Sequence, residues 1–94
     1  MAEITMYTTS WCGFCAMARR LLESKGRTWE EIDVDAEAGR REEMMQRSGR
    51  RTVPQIWIGE RHVGGYDDLA ALERSGELDA LLEDAGAADA GAAG

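Results

Sequence analysis

Along the chain, apolar and polar positions switch between a strand-like alternation and a helical period, and the switches predict the elements. Residues 3–8, Glu-Ile-Thr-Met-Tyr-Thr, are rich in β-formers and read as a first strand. From Gly13 to about Lys25, Cys15, Ala18, Leu21 and Leu22 recur at helical spacing, with Arg19, Arg20 and Glu23 on the wet side and Gly26 as the stop. Trp29–Val34 alternates apolar with acidic residues, a second strand. Glu37–Ser48 reads as a charged helix ended by Gly49, with Met44 and Met45 as its core contacts. The apolar run Ile56-Trp57-Ile58 turns through Gly59-Glu60 into a short strand, Arg61–Val63. Asp67 is positioned to cap a helix running to about Arg74, and Glu77–Glu83 adds a turn or two.

The resulting order, β-α-β-α-β-β-α, makes the first two strands parallel through a helical crossover and the last two antiparallel through a hairpin. One mixed four-stranded sheet flanked by helices, an α/β fold, satisfies the pattern. With 94 residues, 44% of them apolar, the chain supports one small core and excludes two separately folded domains. The expected domain is 1–84. Residues 85–94 hold six Ala, three Gly and one Asp, offer nothing to bury, and are expected to be a disordered tail.

Charge narrows the function classes. The net charge is −7, yet residues 1–74 carry eleven basic and thirteen acidic side chains, so the excess lies in the C-terminal end. A nucleic-acid footprint would need a basic domain, and none is present. No stretch approaches the roughly 20 apolar residues that span a bilayer, so no membrane partner is expected. The opening Met-Ala-Glu-Ile-Thr lacks a cationic segment followed by an apolar run, so the expectation is no signal peptide and a cytoplasmic protein.

Candidate chemistry centres on the two cysteines, Cys12 and Cys15, separated by Gly13-Phe14. A disulfide-stapled secreted domain would show more cysteines at wider spacing. A structural zinc site needs four ligands, and His62 is the single other soft candidate. His62 itself, in a short edge strand, reads as a satisfied structural residue. A redox pair remains. Cys12 sits at the start of a helix, where unpaired N–H groups and the helix dipole favour thiolate. Cys15 lies one turn in, on the apolar face. Cys12 is therefore the expected nucleophile and Cys15 the thiol that resolves a mixed disulfide. The alternative is a packed pair with no redox role.

Two further segments point to a ligand. In Thr52-Val53-Pro54 a proline precedes an apolar strand; a cis Val53–Pro54 bond would turn the Val53 backbone outward, and a trans proline would merely open an edge strand. In Gly64-Gly65-Tyr66-Asp67-Asp68 two glycines lead into a helix start flanked by carboxylates, suited to both ends of an amino-acid group, or else an ordinary capped helix. Arg41, Arg47, Arg50 and Arg51 supply cations near the same face, of which one or two are candidates for a ligand carboxylate.

Taken in order, Tyr7-Thr8-Thr9-Ser10-Trp11-Cys12-Gly13-Phe14-Cys15, Arg40-Arg41-Glu42-Glu43-Met44, Thr52-Val53-Pro54-Gln55-Ile56-Trp57-Ile58 and Gly64-Gly65-Tyr66-Asp67-Asp68-Leu69 resemble the glutaredoxin family, over the chain to about Leu82 and most like its bacterial glutaredoxin 3 branch. The resemblance implies a thioredoxin-like fold and a monomeric enzyme that reduces protein–glutathione mixed disulfides and protein disulfides, with glutathione as reductant. By position it assigns Cys12 as nucleophile and Cys15 as resolving thiol. It assigns glutathione contacts to Phe14, Arg41, Thr52, Val53, Pro54, Gly65, Tyr66 and Asp67, with Arg41 near the glycine carboxylate and Gly65, Tyr66 and Asp67 at the γ-glutamyl end.

Three departures from the family pattern matter. Thr9 stands where members often carry Lys, Gly-Phe replaces Pro-Tyr between the cysteines, and Trp11 precedes the nucleophile as in mycoredoxins. Two alternatives follow from the resemblance. One is a dimer holding a [2Fe–2S] cluster through two Cys12 thiolates and two glutathione thiols, suggested by Gly after the first cysteine. The other exchanges glutathione for mycothiol, against which the Thr-Val-Pro and Gly-Gly-Tyr-Asp-Asp segments argue.

Overall fold

The structure, a computed structural model, describes residues 3–83; the expected Ala/Gly tail at 85–94 lies outside the described residues. Its elements are β1 (Ile4–Thr8), α1 (Gly13–Ser24), β2 (Glu30–Asp33), α2 (Arg40–Ser48), β3 (Gln55–Ile58), β4 (Arg61–Gly64) and α3 (Tyr66–Ser75). Residues 77–83 are again helical. The four strands form one sheet in the order β2-β1-β3-β4, with β1 and β2 parallel and the other pairs antiparallel. This is the mixed four-stranded sheet that the order of elements predicts, in the thioredoxin-like arrangement that the resemblance implies.

The strand period sorts the core into two layers, because successive side chains on a strand face opposite sides of the sheet. Ile4 and Met6 on β1 and Ile56 and Ile58 on β3 point to one side, where Ala18 and Leu22 of α1, Leu69 of α3, Leu78 and Leu82 complete a buried cluster. Tyr7 and Trp57 point to the other, against Ile32, Val34 and Met44 of α2. Met44 is buried and Met45 packs on the same cluster, the core role expected of both. Tyr7 is fully buried and its hydroxyl donates to Glu43 while accepting from Arg47 Nη1 at 2.7 Å. Arg47 also lies 4.3 Å from the Trp57 ring and so helps seat α2 on this layer.

Two helix starts differ from expectation. The α2 helix begins at Arg40, not Glu37, because the Asp33 carboxylate accepts the Asp35 and Ala36 amides at 2.9 and 3.2 Å and holds the chain in a turn. Gly39, at φ 83°, then redirects the chain into the helix. At α3 the first turn already includes Tyr66, with Gly65 as N-cap. Asp68, not Asp67, meets the orphan donor: its Oδ2 accepts from Gly65 N at 3.0 Å.

Edge strand β2 is pinned by one carboxylate. Glu31 accepts from Arg19 Nη2 at 2.6 Å, Trp29 Nε1 at 3.0 Å and Thr8 Oγ1 at 3.1 Å, tying β2 to α1 and β1. The Arg19 guanidinium, aided by Trp29 and Thr8, holds Glu31 down at about 2 against an ordinary 4.5.

Two stability measurements follow. Leu22→Ala, at a fully buried site, is expected to cost about 2–5 kcal/mol in urea unfolding, and a loss under about 1 kcal/mol would contradict this packing. Glu31 has its folded pKa depressed, so its contribution is full above the unfolded value and vanishes as pH falls from about 4.5 to 2. The gap in urea midpoint between wild type and Glu31→Gln should therefore be open at neutral pH and closed at the acid end of that window. Because both partners are about one-third exposed, the gap should be small and should shrink with salt.

Candidate active site

Cys12 is the N-cap of α1, with extended backbone (φ −127°, ψ 109°), so its side chain turns back over the first helical turn. Its Sγ accepts from the Cys15 amide at 3.1 Å, taking a place that a Ser or Asp oxygen fills in other helices. The sulfur thus faces a backbone donor and the positive end of the helix. The approach loop is held from outside, since Ser10 Oγ donates to Asp33 Oδ2 at 3.0 Å.

The two thiols, both reduced, sit in different environments. Cys12 is partly exposed and Cys15 is fully buried on the apolar face of α1. Burial, reinforced by the hydrogen bond with Cys12, pushes the Cys15 thiol up to about 12. Such a thiol stays protonated near neutral pH.

Opposite Cys12 lies the 52–54 segment. Val53–Pro54 is cis, one of the two readings left open by the sequence, and the Val53 carbonyl accepts from Cys12 Sγ at 3.6 Å. Beside this contact opens a cleft of about 320 Å³ lined by Phe14, Arg50, Thr52, Val53, Pro54, Gly65, Tyr66, Asp67 and Asp68. Seven of these are residues that the resemblance assigns as glutathione contacts, drawn from three separate segments. The Phe14 and Tyr66 rings stack across it with centroids 6.4 Å apart. At one end the N-terminus of α3 presents backbone donors beside the Asp67 and Asp68 carboxylates.

Arg41 is elsewhere. It does not line the cleft; its guanidinium pairs with Asp35 at 3.0 Å and donates to the Arg51 carbonyl at 3.3 Å. The cation on the cleft is Arg50, whose Nη1 meets Asp68 Oδ2 at 3.0 Å. That guanidinium, with the Gly65 amide, keeps the Asp68 carboxyl below its ordinary value. Gly64 makes room for the pair: a Cβ there would stand 2.2 Å from Asp68 Oδ2, and its φ of 117° disfavours any side chain. Nothing in local spacing separates Arg50 from Arg41, Arg47 and Arg51, because the distinction depends on where β4 and α3 bring Asp68. His62 Nε2 donates to Gln55 Oε1 at 2.8 Å and the ring packs on Trp57, the satisfied role expected of it. Among the described residues no group of three or more His, Cys, Asp or Glu gathers as a metal site, and no helix is long and apolar enough to cross a membrane.

Comparison with known proteins agrees with this geometry. The Glutaredoxin family model matches residues 4–63. The chain is 54% identical over 82 residues to a Pseudomonas aeruginosa glutaredoxin, covering 87% of this chain and 98% of that one. It is 51% identical over 83 residues to Escherichia coli K12 glutaredoxin 3, covering 88% and 100%. The crystal structure of a buckwheat glutaredoxin–glutathione complex superposes with a TM-score of 0.84 at 28% identity, covering 90% of this chain and 80% of that one.

Brief alkylation of the reduced protein with iodoacetamide near neutral pH should label Cys12 and leave Cys15 unmodified, read by peptide mass spectrometry. Labelling of Cys15 should need unfolding or a pH near 12. Equal labelling of both thiols in the native protein at neutral pH would contradict the burial assigned to Cys15.

Proposed function

Since the chain belongs to the glutaredoxin family of thiol–disulfide oxidoreductases, we propose that it reduces protein–glutathione mixed disulfides and protein disulfides, with glutathione as the reductant. The observation that carries this reading is the meeting of the Cys12 sulfur, a backbone donor at 3.1 Å and the Val53 carbonyl at the mouth of the cleft.

In the proposed reaction the Cys12 thiolate attacks the glutathione sulfur of a mixed disulfide. The new bond joins Cys12 to glutathione, the old bond breaks, and the substrate cysteine leaves as a thiolate that takes up a proton. A second glutathione thiolate then attacks the glutathione sulfur, releasing glutathione disulfide and restoring the Cys12 thiolate. For a protein disulfide, Cys12 first joins one substrate sulfur. Cys15, once deprotonated, attacks Cys12 Sγ, frees the substrate dithiol and leaves a Cys12–Cys15 disulfide that two glutathiones reduce. The burial of Cys15 accounts for its part in the second route alone.

The cleft suits glutathione end by end. Val53 offers backbone groups to an extended cysteinyl unit, and Thr52 and Pro54 form the wall beside it. The α3 N-terminus at Gly65 and Tyr66 suits the γ-glutamyl carboxylate, and Asp67 suits its ammonium. Phe14 suits a place beside the disulfide sulfurs. Arg41 contributes through the Arg51 carbonyl, leaving Arg50 as the nearer cation. The proposed setting is the cytoplasm, where the thiol pool stays reduced. A [2Fe–2S] cluster would draw on the same Cys12 thiol from each of two chains, and no feature of the fold favours it over thiol exchange in a monomer.

Turnover of a glutathionylated peptide, coupled to glutathione and its reductase, tests the reading. Cys12→Ser should fall to the uncatalysed background, while Cys15→Ser should keep most of the wild-type rate. Absence of wild-type turnover with glutathione, especially alongside turnover with mycothiol, would overturn it.

A further inference from the structure

We propose that Gln55 and His62 are positioning residues: a relay from His62 Nε2 through the Gln55 amide to the Thr52 carbonyl that holds the Thr52–Val53 backbone in reach of Cys12 and of a bound glutathionyl group. The inference rests on the function proposed above and adds to it two residues outside the cleft.

The loop needs such support. None of the backbone–backbone hydrogen bonds in turns and loops among the described residues involves Arg50, Arg51, Thr52, Val53 or Pro54. Side chains hold the segment instead. Ser48 Oγ bonds both the Arg50 amide and its carbonyl, and Arg41 Nη1 donates to the Arg51 carbonyl. Nearest to Val53, Gln55 Nε2 donates to the Thr52 carbonyl at 3.0 Å and to Thr52 Oγ1 at 3.3 Å. The first two anchors are on exposed or half-exposed side chains, whereas Gln55 is fully buried.

The polarity of the relay is fixed by elimination. A carbonyl can accept but not donate, so the Gln55 NH₂ must face Thr52 and Oε1 must face His62. The His62 ring nitrogen 2.8 Å from Oε1 must then carry the proton, which makes His62 the Nε2–H tautomer. The ring is set for this by stacking on Trp57, with centroids 4.7 Å apart, and by the pairing of Trp57 with His62 across β3 and β4. Gln55 is the single polar side chain in a strand whose other members, Ile56, Trp57 and Ile58, are all buried and apolar. An apolar residue at 55 would serve the core as well. The buried amide is accounted for by its bonds to the loop, since a buried polar group is tolerated where its partners are in place.

Steady-state kinetics with the glutathionylated peptide, on protein shown to be folded by circular dichroism, test the relay. Gln55→Glu keeps the shape but replaces the donor with an acceptor facing the Thr52 carbonyl, and should raise the apparent KM about five- to tenfold with kcat little changed. His62→Leu should raise KM in the same sense, and His62→Gln, whose Nε2 can donate from a similar place, should restore it. Nitrogen NMR of the wild type should show the Nε2–H tautomer at neutral pH. An unchanged KM in folded Gln55→Glu, a His62→Gln no better than His62→Leu, or the Nδ1–H tautomer would overturn the relay. Should Gln55→Glu not fold, the His62 pair and the NMR decide. Inactive wild type would instead sink the proposed function and the positioning role with it, whereas active wild type with unresponsive variants would sink the relay alone.

Discussion

The pairing of β1 with β3 is the constraint on which the rest of the molecule depends. These central strands run antiparallel with Tyr7 opposite Gln55, so the carboxyl end of one and the amino end of the other arrive at the same edge of the sheet. From that edge β1 leads within a few residues to Cys12, and β3 is entered directly from Val53–Pro54. Two segments 41 residues apart thereby meet with the Cys12 sulfur 3.6 Å from the Val53 carbonyl. The alternation along both strands locks the register, because a slip of one residue would send Ile4, Met6, Ile56 and Ile58 to the layer filled by Tyr7 and Trp57.

Around this junction the two cysteines are separated by environment more than by distance. One helical turn carries the chain from a half-exposed N-cap into the apolar layer. Cys12 meets solvent, a backbone donor and the cleft, while Cys15 is kept protonated by the packing that stabilises α1. The same layer of side chains thus supports the fold and sets the two thiols apart. Trp11, Phe14 and Met17, close to the two cysteines in the chain, are exposed apolar side chains.

The loop facing Cys12 is unusual in how it is supported. Regular elements satisfy their own backbone, but the 50–54 segment leaves that task to side chains reaching in from α2 and β3. Ligand-facing backbone is left available on one side because its other side is bonded to Ser48, Arg41 and Gln55. The Arg50–Asp68 pair then closes the far end of the cleft and holds the first turn of α3, which Gly64 permits by having no side chain to clash with it.

Much of this is legible along the chain, because it depends on neighbours within a turn or two. Strand and helix periods, the glycine stops at Gly26 and Gly49, the hairpin at Gly59-Glu60 and the placing of Cys12 ahead of Cys15 on a helix start are all local properties. So are the motifs at Thr52–Pro54 and Gly64–Asp68, and together with the active-site run they carry the resemblance that names seven of the nine residues lining the cleft. The starts of α2 and α3 are less legible, since the Asp33 turn displaces the start expected at Glu37 and the Asp68 contact replaces the cap expected at Asp67. What local pattern does not contain is the choice among distant partners. Arg50 and not Arg41 faces the cleft because Asp68, 18 residues on, is folded against it. Gln55 holds the loop because its strand buries it beside His62. Those assignments are contacts between residues far apart in the chain, and they come into being when the sheet closes and the helices pack on it.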